Sequence, residues 1–124
     1  MKLEGKVKSG FGNASFWVDK VNKIFQEKYG MKLFLGTLNI QLDKEIVLDD
    51  DEKILSNEYG GNFDVLVKEC KIFDNKGYIL RTEKNNSKNG EHPLNIIEIV
   101  SDVNLRKIYE LKDGDNCTVY IENL

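Results

Sequence analysis

Apolar and polar residues alternate with a period of two in several short stretches of this chain. The alternation runs through residues 37–42 and 63–68 and returns at residues 117–121, close to the carboxy end. Because successive strand residues face opposite sides of a sheet, each stretch predicts a strand with one buried face. Asp113 and Gly114 precede the last stretch and favour a tight turn, since glycine tolerates positive φ. Short strands therefore dominate the predicted secondary structure.

The longest helical pattern lies in residues 21–29, where apolar residues recur at intervals of three and four. Asp19 is the predicted N-cap, and Gly30 is the predicted C-cap because glycine readily adopts the left-handed conformation. A shorter helix is predicted over residues 103–110, capped by Ser101 or the residue that follows it. No βαβ alternation is present, so the pattern favours a small, mainly β barrel over a doubly wound sheet.

Length and composition narrow the class of protein further. The chain has 124 residues, which suit a single domain over residues 1–124 with one modest core. No apolar run approaches the roughly 20 residues of a membrane span, so we expect a cytoplasmic protein without membrane contacts. Cys70 and Cys117 stand far apart, which fits small core residues in a reducing compartment better than a disulfide framework.

The charged and polar stretches are less informative. With 18 basic and 21 acidic side chains the net charge is -3, which gives no general attraction to nucleic acid. Residues 49–52 are four adjacent acids, whose divergent directions favour a solvated loop over a cation site. Residues 81–91 have the composition of a mobile loop and are predicted to form either a lid or a long hairpin connection.

Residues 5–14 hold a glycine-rich stretch that is a candidate phosphate site. Glycine permits close backbone approach to an anion, and successive amides can form an anion-binding nest. Lys6, Lys8 and Ser9 add positive charge and a hydroxyl nearby. The stretch is neither a Walker loop nor a Rossmann fingerprint, and an ordinary structural turn is the alternative.

Thr37 and Asn39 are candidate ligands for a hard cation. Residues two apart on a strand point to the same face, so one ion could meet both side chains. Mg²⁺ prefers oxygen ligands, keeps several waters and is commonly completed by substrate phosphates, so a hydroxyl and an amide carbonyl could suffice. The alternative is a turn at Gly36 followed by two polar residues on the solvated face of a strand.

Glu98 is a candidate general base. It shares strand parity with Leu94, Ile96 and Val100, so an inward face would place its carboxylate among aliphatic side chains. The opposite face of the same strand is also apolar, so the strand could instead turn Glu98 outward. His92 is the only histidine in the sequence, and its expected role is a turn or a ligand contact rather than proton transfer.

Several short motifs follow one another in a specific order. They are Gly-Lys-Val-Lys-Ser-Gly-Phe-Gly at 5–12, Gly-Thr-Leu-Asn-Ile-Gln-Leu-Asp at 36–43, His-Pro at 92–93, Ile-Glu-Ile-Val at 97–100, Leu-Arg at 105–106 and Leu-Lys-Asp-Gly-Asp at 111–115. As an ordered set they resemble the archaeal-type, CTP-dependent riboflavin kinases over nearly the whole chain. The resemblance implies a compact six-stranded cradle-loop β-barrel with two short helices. It also implies transfer of the CTP γ-phosphoryl group to the ribityl hydroxyl of riboflavin, giving FMN and CDP.

The resemblance implies a role for each candidate residue. Glu98 matches the family's flavin-side carboxylate, which orients or deprotonates the attacking hydroxyl, and His92 is a flavin contact. Thr37 and Asn39 match the magnesium ligands, so Mg²⁺ is the implied cofactor. The implied nucleotide-binding residues are Phe11, Gly12, Asn13, Ala14, Ser15, Phe16, Val103, Asn104, Leu105 and Arg106. The implied partners are riboflavin or FMN and CTP or CDP, and we expect a monomer without nucleic-acid contacts.

Two other functions are compatible with the same scaffold. A non-catalytic barrel would bind flavin or a nucleotide without turnover, whereas a small interaction barrel would contact protein or nucleic acid through its surface. The segment before His92 lacks the Thr-His pair that is common in the family. A flavin-contacting hydroxyl is therefore missing, unnecessary, or supplied by Thr82 or Ser87.

Overall fold

The computed structural model describes residues 1–10, 12–88, 90 and 92–122. Within that part of the chain, short strands alternate irregularly with helices. The strands are β1 (Lys2–Lys8), β2 (Leu38–Leu42), β3 (Lys53–Ile54), β4 (Val65–Ile72), β5 (Asn75–Thr82), β6 (Ile96–Val100) and β7 (Asn116–Tyr120). The helices are α1 (Ala14–Tyr29), α2 (Ser56–Tyr59), α3 (Glu83–Asn86) and α4 (Leu105–Ile108).

Six of the strands close into an antiparallel barrel. Their order is β4, β5, β6, β2, β1 and β7, and β7 returns to pair with β4. Closure depends on a short pairing in which Lys71 lies opposite Tyr120 and Ile72 lies opposite Val119. The short strand β3 pairs with the amino end of β4. A closed barrel leaves few strand edges exposed, and the predicted six-stranded barrel is confirmed.

Two layers of apolar side chains lie on the two faces of the barrel wall. One layer fills the interior and includes Ile40, Ile79 and Ile97. The other lies on the outer face of β4, β5 and β6 and is covered by α1, whose Val21 and Phe25 are fully buried in it. Because parts of these strands are covered on both faces, each strand contains a run of two or more consecutive apolar residues. Alternation alone could not identify the face of β6 that carries its carboxylate.

Helix α1 begins at Ala14, well before the start predicted from Asp19. The prediction is wrong because Asp19 is an exposed residue inside the helix, while Asn13 is the N-cap. The helix extends further because Val18 continues the apolar stripe and is fully buried against the strands. The predicted end is confirmed, since Gly30 caps the helix in the left-handed conformation with a φ of 71°.

The second predicted helix is shorter than expected. Helix α4 spans Leu105–Ile108 rather than residues 103–110, and its cap is Asn104, whose side chain accepts a backbone N–H. Ser101 has another partner, because its hydroxyl donates to Lys76 O at 3.0 Å. Helices α2 and α3 were not predicted, since a helix of four residues is too short to show a periodic stripe. None of the helices in the described part of the chain could span a bilayer.

The strand predicted over residues 63–68 is displaced toward the carboxy end. Strand β4 begins at Val65, and Phe63 lies before it with 42% of its surface exposed. Val65 and Leu66 are both buried, because one packs under α1 and the other faces the barrel interior. The turn and strand near the carboxy end are confirmed, with Gly114 at a φ of 91° before β7.

Arg81 fastens the end of β5 to the neighbouring loops. It is buried, and its guanidinium donates to Ile46 O at 2.6 Å and to Leu94 O and Ile96 O at 3.1 Å each. A further hydrogen bond of 3.2 Å runs to Asn86 Oδ1 in α3. The prediction of a mobile loop is therefore wrong for residues 81–86, which end a strand and form a tethered helical turn.

Replacing Arg81 with Met should destabilise the fold strongly. The change removes a donor from three buried carbonyl oxygens, of which Leu94 O keeps a second donor in Ile46 N, so we expect the free energy of unfolding to fall by about 3 kcal/mol. Urea denaturation measures the difference. Lys84→Met removes an exposed cation from the adjacent helix α3 and its contact with the Phe63 ring, so it should change the free energy by less than about 1 kcal/mol. Equal effects of the two substitutions would contradict the anchoring role of Arg81.

Candidate active site

A cavity of about 380 Å³ lies on the outer face of the barrel, beside the amino end of α1. Its walls come from the start of α1, from β5, β6 and α3, and from the segment before β2. Trp17, Leu80 and Ile96 give it apolar surfaces, while His92 and Glu98 place polar groups in it. A concave space of this size, walled by apolar and polar side chains in similar measure, is typical of a site for a small molecule that carries polar groups.

Glu98 lies at the centre of β6, opposite Asn39 of β2 on one side and Leu80 of β5 on the other. Its side chain lines the cavity and is 24% exposed, so it lies neither inside the barrel nor in open solvent. Burial raises the pKa of the Glu98 carboxyl above its ordinary value, and the charge of Arg81 opposes that rise. His92 Nδ1 lies 3.8 Å from Glu98 Oε1, so the structure brings the two predicted flavin-side residues together.

Asn39 is only 5% exposed although its side chain is polar. Its Nδ2 donates to Thr37 Oγ1 at 3.2 Å, so the two candidate cation ligands share one face of the chain. Among the described residues, Asn39 Oδ1 is buried and has no hydrogen-bond partner. A buried unpaired oxygen is costly, and a carboxamide next to a hydroxyl offers the oxygen donor types that a hard cation such as Mg²⁺ prefers. The alternative of a solvated strand face is wrong for Asn39.

Gly10 lies directly against this carboxamide. A Cβ built at Gly10 would come within 2.5 Å of Asn39 Nδ2. A larger residue would therefore displace the carboxamide from the position in which it donates to Thr37. This glycine of the candidate phosphate stretch has a packing role, because its missing side chain leaves room for a candidate ligand.

Thr37 also borders a second, smaller crevice. This crevice of about 20 Å³ lies between the segment before β2 and the start of α4, and Phe34 and Gly36 form one side of it. The predicted nucleotide-binding residues from Val103 to Arg106 form the other side. Among the described residues, Thr37 is the one that lines both the crevice and the larger cavity. The two predicted ligand sites therefore meet at this threonine.

The other predicted nucleotide-binding residues lie at the amino end of α1. They are Gly12, Asn13, Ala14, Ser15 and Phe16. Asn13 and Ala14 line the cavity, whereas Ser15 is exposed and Phe16 has 74% of its surface exposed. Phe11 falls outside the described residues. The first amides of a helix lack partners within it and favour anions, and the first turn of α1 contains no acidic residue.

Several residues that line the cavity were missed by reasoning from the sequence. Lys84 places its Nζ 5.1 Å from the ring centroid of Phe63, and both residues border the cavity. Trp17 borders it as well and packs against the outer apolar layer. Their place beside Glu98 depends on the pairing of β5 with β6 and on the docking of α1, which no local pattern encodes.

The two hydroxyls considered for flavin contact have different positions. Thr82 lines the cavity, but its Oγ1 accepts a hydrogen bond from Asn85 N at 3.2 Å as the cap of α3. Ser87 follows α3, and its Oγ donates to Lys84 O at 2.9 Å. Of the two, Thr82 is the hydroxyl that the structure places at the cavity wall.

The acidic run of residues 49–52 does not line the cavity. Asp49 Oδ2 pairs with Lys68 Nζ at 2.7 Å, and Glu52 Oε2 accepts a hydrogen bond from Tyr29 OH at 3.3 Å. In the described part of the chain, no cluster of three His, Cys, Asp or Glu side chains could hold a metal ion. The oxygen pair at Thr37 and Asn39 is therefore the better candidate for a cation site.

Comparison of the chain with known proteins relates it to one family. The family model CTP-dep_RFKase, described as "Domain of unknown function DUF120", matches residues 7–121. A curated protein of Methanothermobacter thermautotrophicus named riboflavin kinase is 37% identical, with 94% of this chain and 95% of that relative covered. Another riboflavin kinase, from Methanococcus vannielii, is 34% identical, with 93% of each chain covered.

Other curated relatives are longer than this chain. The riboflavin kinase of Pyrobaculum aerophilum is 33% identical over 98% of this chain, but the match covers 60% of that relative. For the riboflavin kinase of Archaeoglobus fulgidus the identity is 32%, over 93% of this chain and 52% of the relative. The chain therefore spans between about half and nearly all of the length of the curated relatives that it matches.

Asn39→Leu should raise the free energy of unfolding by about 1 kcal/mol. The change removes a buried oxygen without a partner and fills a similar volume with apolar atoms. Urea denaturation measures the effect, and Gln41→Leu is the matched control because Gln41 is exposed on the same strand. The control should change the free energy by less than about 0.5 kcal/mol. A loss of more than about 1 kcal/mol with Asn39→Leu would show that the carboxamide serves the fold rather than a ligand.

Proposed function

This chain belongs to the CTP-dependent riboflavin kinase family, and we propose that it transfers the γ-phosphoryl group of CTP to the terminal ribityl hydroxyl of riboflavin. The products are FMN and CDP. The supporting observation is that Thr37 borders both the cavity and the crevice. Phosphoryl transfer depends on holding the hydroxyl and the phosphorus close and in line, so two ligand sites that meet at one residue suit this reaction.

Riboflavin is assigned to the larger cavity. Trp17 and Phe63 offer aromatic surfaces for the isoalloxazine ring, which is planar and aromatic. Glu98 and His92 lie together on another part of the wall and can bind the hydroxyls of the ribityl chain. This orientation directs the terminal hydroxyl toward Thr37, where the cavity meets the crevice.

CTP is assigned to the crevice and to the amino end of α1. The amides of the first helical turn, which have no partner within the helix, suit the phosphates, and residues 103–106 suit the nucleoside. The crevice of about 20 Å³ is much smaller than a nucleotide, so the base must enlarge it or lie over it. The side chain that would move to enlarge the crevice is Phe34, because its ring lies against Gly36 and 41% of its surface is exposed.

Thr37 Oγ1 and Asn39 Oδ1 are the proposed protein ligands of Mg²⁺. One is a hydroxyl oxygen and the other is a buried amide oxygen without a partner among the described residues. Bound there with the CTP phosphates, Mg²⁺ supplies positive charge that stabilises the transferring phosphoryl oxygens. Because Asn39 Nδ2 faces Thr37 Oγ1, the carboxamide must turn about its terminal bond for its oxygen and the hydroxyl to meet one ion.

Glu98 acts on the acceptor hydroxyl. In the proposed reaction the ribityl oxygen bonds to the γ-phosphorus, while the bond from that phosphorus to the β,γ-bridging oxygen breaks. CDP leaves with the electron pair of the broken bond. Glu98 orients the hydroxyl by accepting its hydrogen bond and takes the proton as the transfer proceeds. Most of the rate enhancement then comes from alignment and charge neutralisation.

The reaction is tested by incubating the protein with riboflavin and magnesium, separately with CTP, ATP, GTP and UTP. FMN is followed by chromatography, and a reaction without metal is the control. FMN formed preferentially from CTP supports the proposal. No FMN from any donor, with protein shown to be folded by circular dichroism, would favour a non-catalytic barrel that binds flavin or a nucleotide.

Thr37→Ala and Asn39→Ala should each lower kcat by about 100-fold, because each removes an oxygen from the charge-stabilising site. Both should also raise the magnesium concentration that gives half the maximal rate. Steady-state rates across a magnesium titration measure the two effects. A wild-type magnesium dependence in both variants would contradict the assignment of the ligands.

Glu98→Gln should lower kcat by about 100-fold, because an amide cannot accept the hydroxyl proton. The KM for CTP should stay within about twofold, since the residue acts on the other substrate. Glu69→Gln is the control, because Glu69 is an exposed carboxylate on β4 and should leave kcat unchanged. If Glu98→Gln kept the wild-type kcat, the role assigned to this carboxylate would be wrong.

A further inference from the structure

The turn between α4 and β7 carries a sequence motif that the proposed function does not use. Residues 111–115 have the sequence Leu-Lys-Asp-Gly-Asp. The turn is bound to the end of β1, because Val7 N donates to Asp115 O at 2.9 Å and Gly114 N donates to Val7 O at 2.8 Å. It therefore lies beside the residues that lead from β1 into the glycine-rich stretch.

Asp113 in this turn connects two segments that are distant in the sequence. Its Oδ2 accepts a hydrogen bond from Ser9 Oγ at 2.5 Å, and its Oδ1 accepts one from Arg106 Nη2 at 2.7 Å. The same Nη2 also donates to Lys8 O at 3.4 Å. One carboxylate thus joins the end of β1 to helix α4, and both segments lead into the proposed CTP site.

The charges around Asp113 suit a site for a phosphate-bearing ligand. The Ser9 hydroxyl and the Arg106 guanidinium hold the pKa of the Asp113 carboxyl below its usual value. A carboxylate near phosphates is unfavourable unless a cation offsets it, and Arg106 provides that cation. Among the described residues, both hydrogen bonds of this guanidinium start from Nη2, so its Nε and Nη1 groups still have N–H donors for an anion.

We propose that Asp113 is a positioning residue for the nucleotide. By accepting hydrogen bonds from Ser9 and Arg106 together, it sets the spacing between the glycine-rich stretch and α4. This inference rests on the proposed function, because it assumes that these two segments bind CTP. Helix α4 has only four residues, and so short a helix depends on tertiary contacts for its position.

A merely structural bridge and a positioning bridge predict different results. Loss of a structural bridge would lower thermal stability and reduce the affinity for every ligand. Loss of a positioning bridge should reduce the affinity for the nucleotide alone, because Asp113 does not line the cavity assigned to riboflavin. Calorimetric titration with CDP and magnesium, and separately with riboflavin, distinguishes the two roles when thermal melting is measured on the same variants.

Asp113→Ala should weaken CDP binding about tenfold, because it removes two charge-assisted hydrogen bonds. Riboflavin affinity should change by less than about twofold, since its site is untouched. Asp113→Asn keeps an oxygen acceptor without the charge, so it should recover part of the loss and leave about a threefold deficit. This partial rescue by the isosteric residue identifies the carboxylate, rather than the turn, as the group that acts.

Asp115→Asn is the matched control for the charge of the turn. It removes one negative charge at nearly the same place, but the Asp115 carboxylate accepts its hydrogen bond from Lys112 N, at 2.8 Å, within the turn itself. CDP affinity of this variant should stay within about twofold of the wild type. A fall equal to that of Asp113→Asn would mean that net charge, and not the bridge, controls nucleotide affinity, which would overturn the proposal.

A double variant tests whether Asp113 acts through Arg106. Arg106→Ala alone should weaken CDP binding. Asp113→Ala should then reduce CDP affinity less in the Arg106→Ala variant than in the wild-type protein, because the two side chains are joined by a hydrogen bond. CDP affinity in Asp113→Ala equal to or tighter than in the wild type would overturn the inference. An equal loss of riboflavin binding would do the same. Absence of CDP binding by the wild-type protein would instead overturn the proposed function, so the two failures can be told apart.

Discussion

The packing of α1 across the outer face of β4, β5 and β6 is the interaction on which the candidate site depends. Val18, Val21 and Phe25 are fully buried there, and the rings of Phe25 and Tyr78 meet edge to face with their centroids 5.0 Å apart. Burial of three such side chains stabilises the fold by roughly 5 kcal/mol, more than any single polar contact at the site. This apolar stripe fixes the direction of the helix, so its amino end arrives where Thr37 lies.

The polar groups at that end of the helix are held at a cost in free energy. Asn39 Oδ1 is buried without a partner among the described residues, and burial raises the pKa of Glu98. Both groups would be more favourable in water, so the surrounding apolar packing must offset them. Groups that are already desolvated lose little further hydration when a substrate or a cation arrives. The same features that weaken the fold locally therefore suit catalysis by positioning.

Local chemistry made part of this arrangement predictable from the sequence. The period of two correctly placed Thr37 and Asn39 on one face, but it could not show that the face is buried under neighbouring elements. The predicted start of α1 was wrong because Asp19 is of a residue type that often caps helices. The actual N-cap, Asn13, makes no side-chain cap hydrogen bond and lies in a glycine-rich stretch. Arg81 was missed because its backbone acceptors come from other loops, and only the closed barrel brings them to one guanidinium.

Paramagnetic NMR can locate the cation directly at the meeting point of the two ligand sites. With CDP bound and Mn²⁺ substituted for Mg²⁺, the backbone amide signals of Thr37, Asn39 and Glu98 should broaden most, because broadening falls steeply with distance from the ion. Asn39→Ala should reduce this selective broadening. Broadening centred instead on the acidic residues 49–52, or spread evenly over the surface, would contradict a cation site at the junction of the cavity and the crevice.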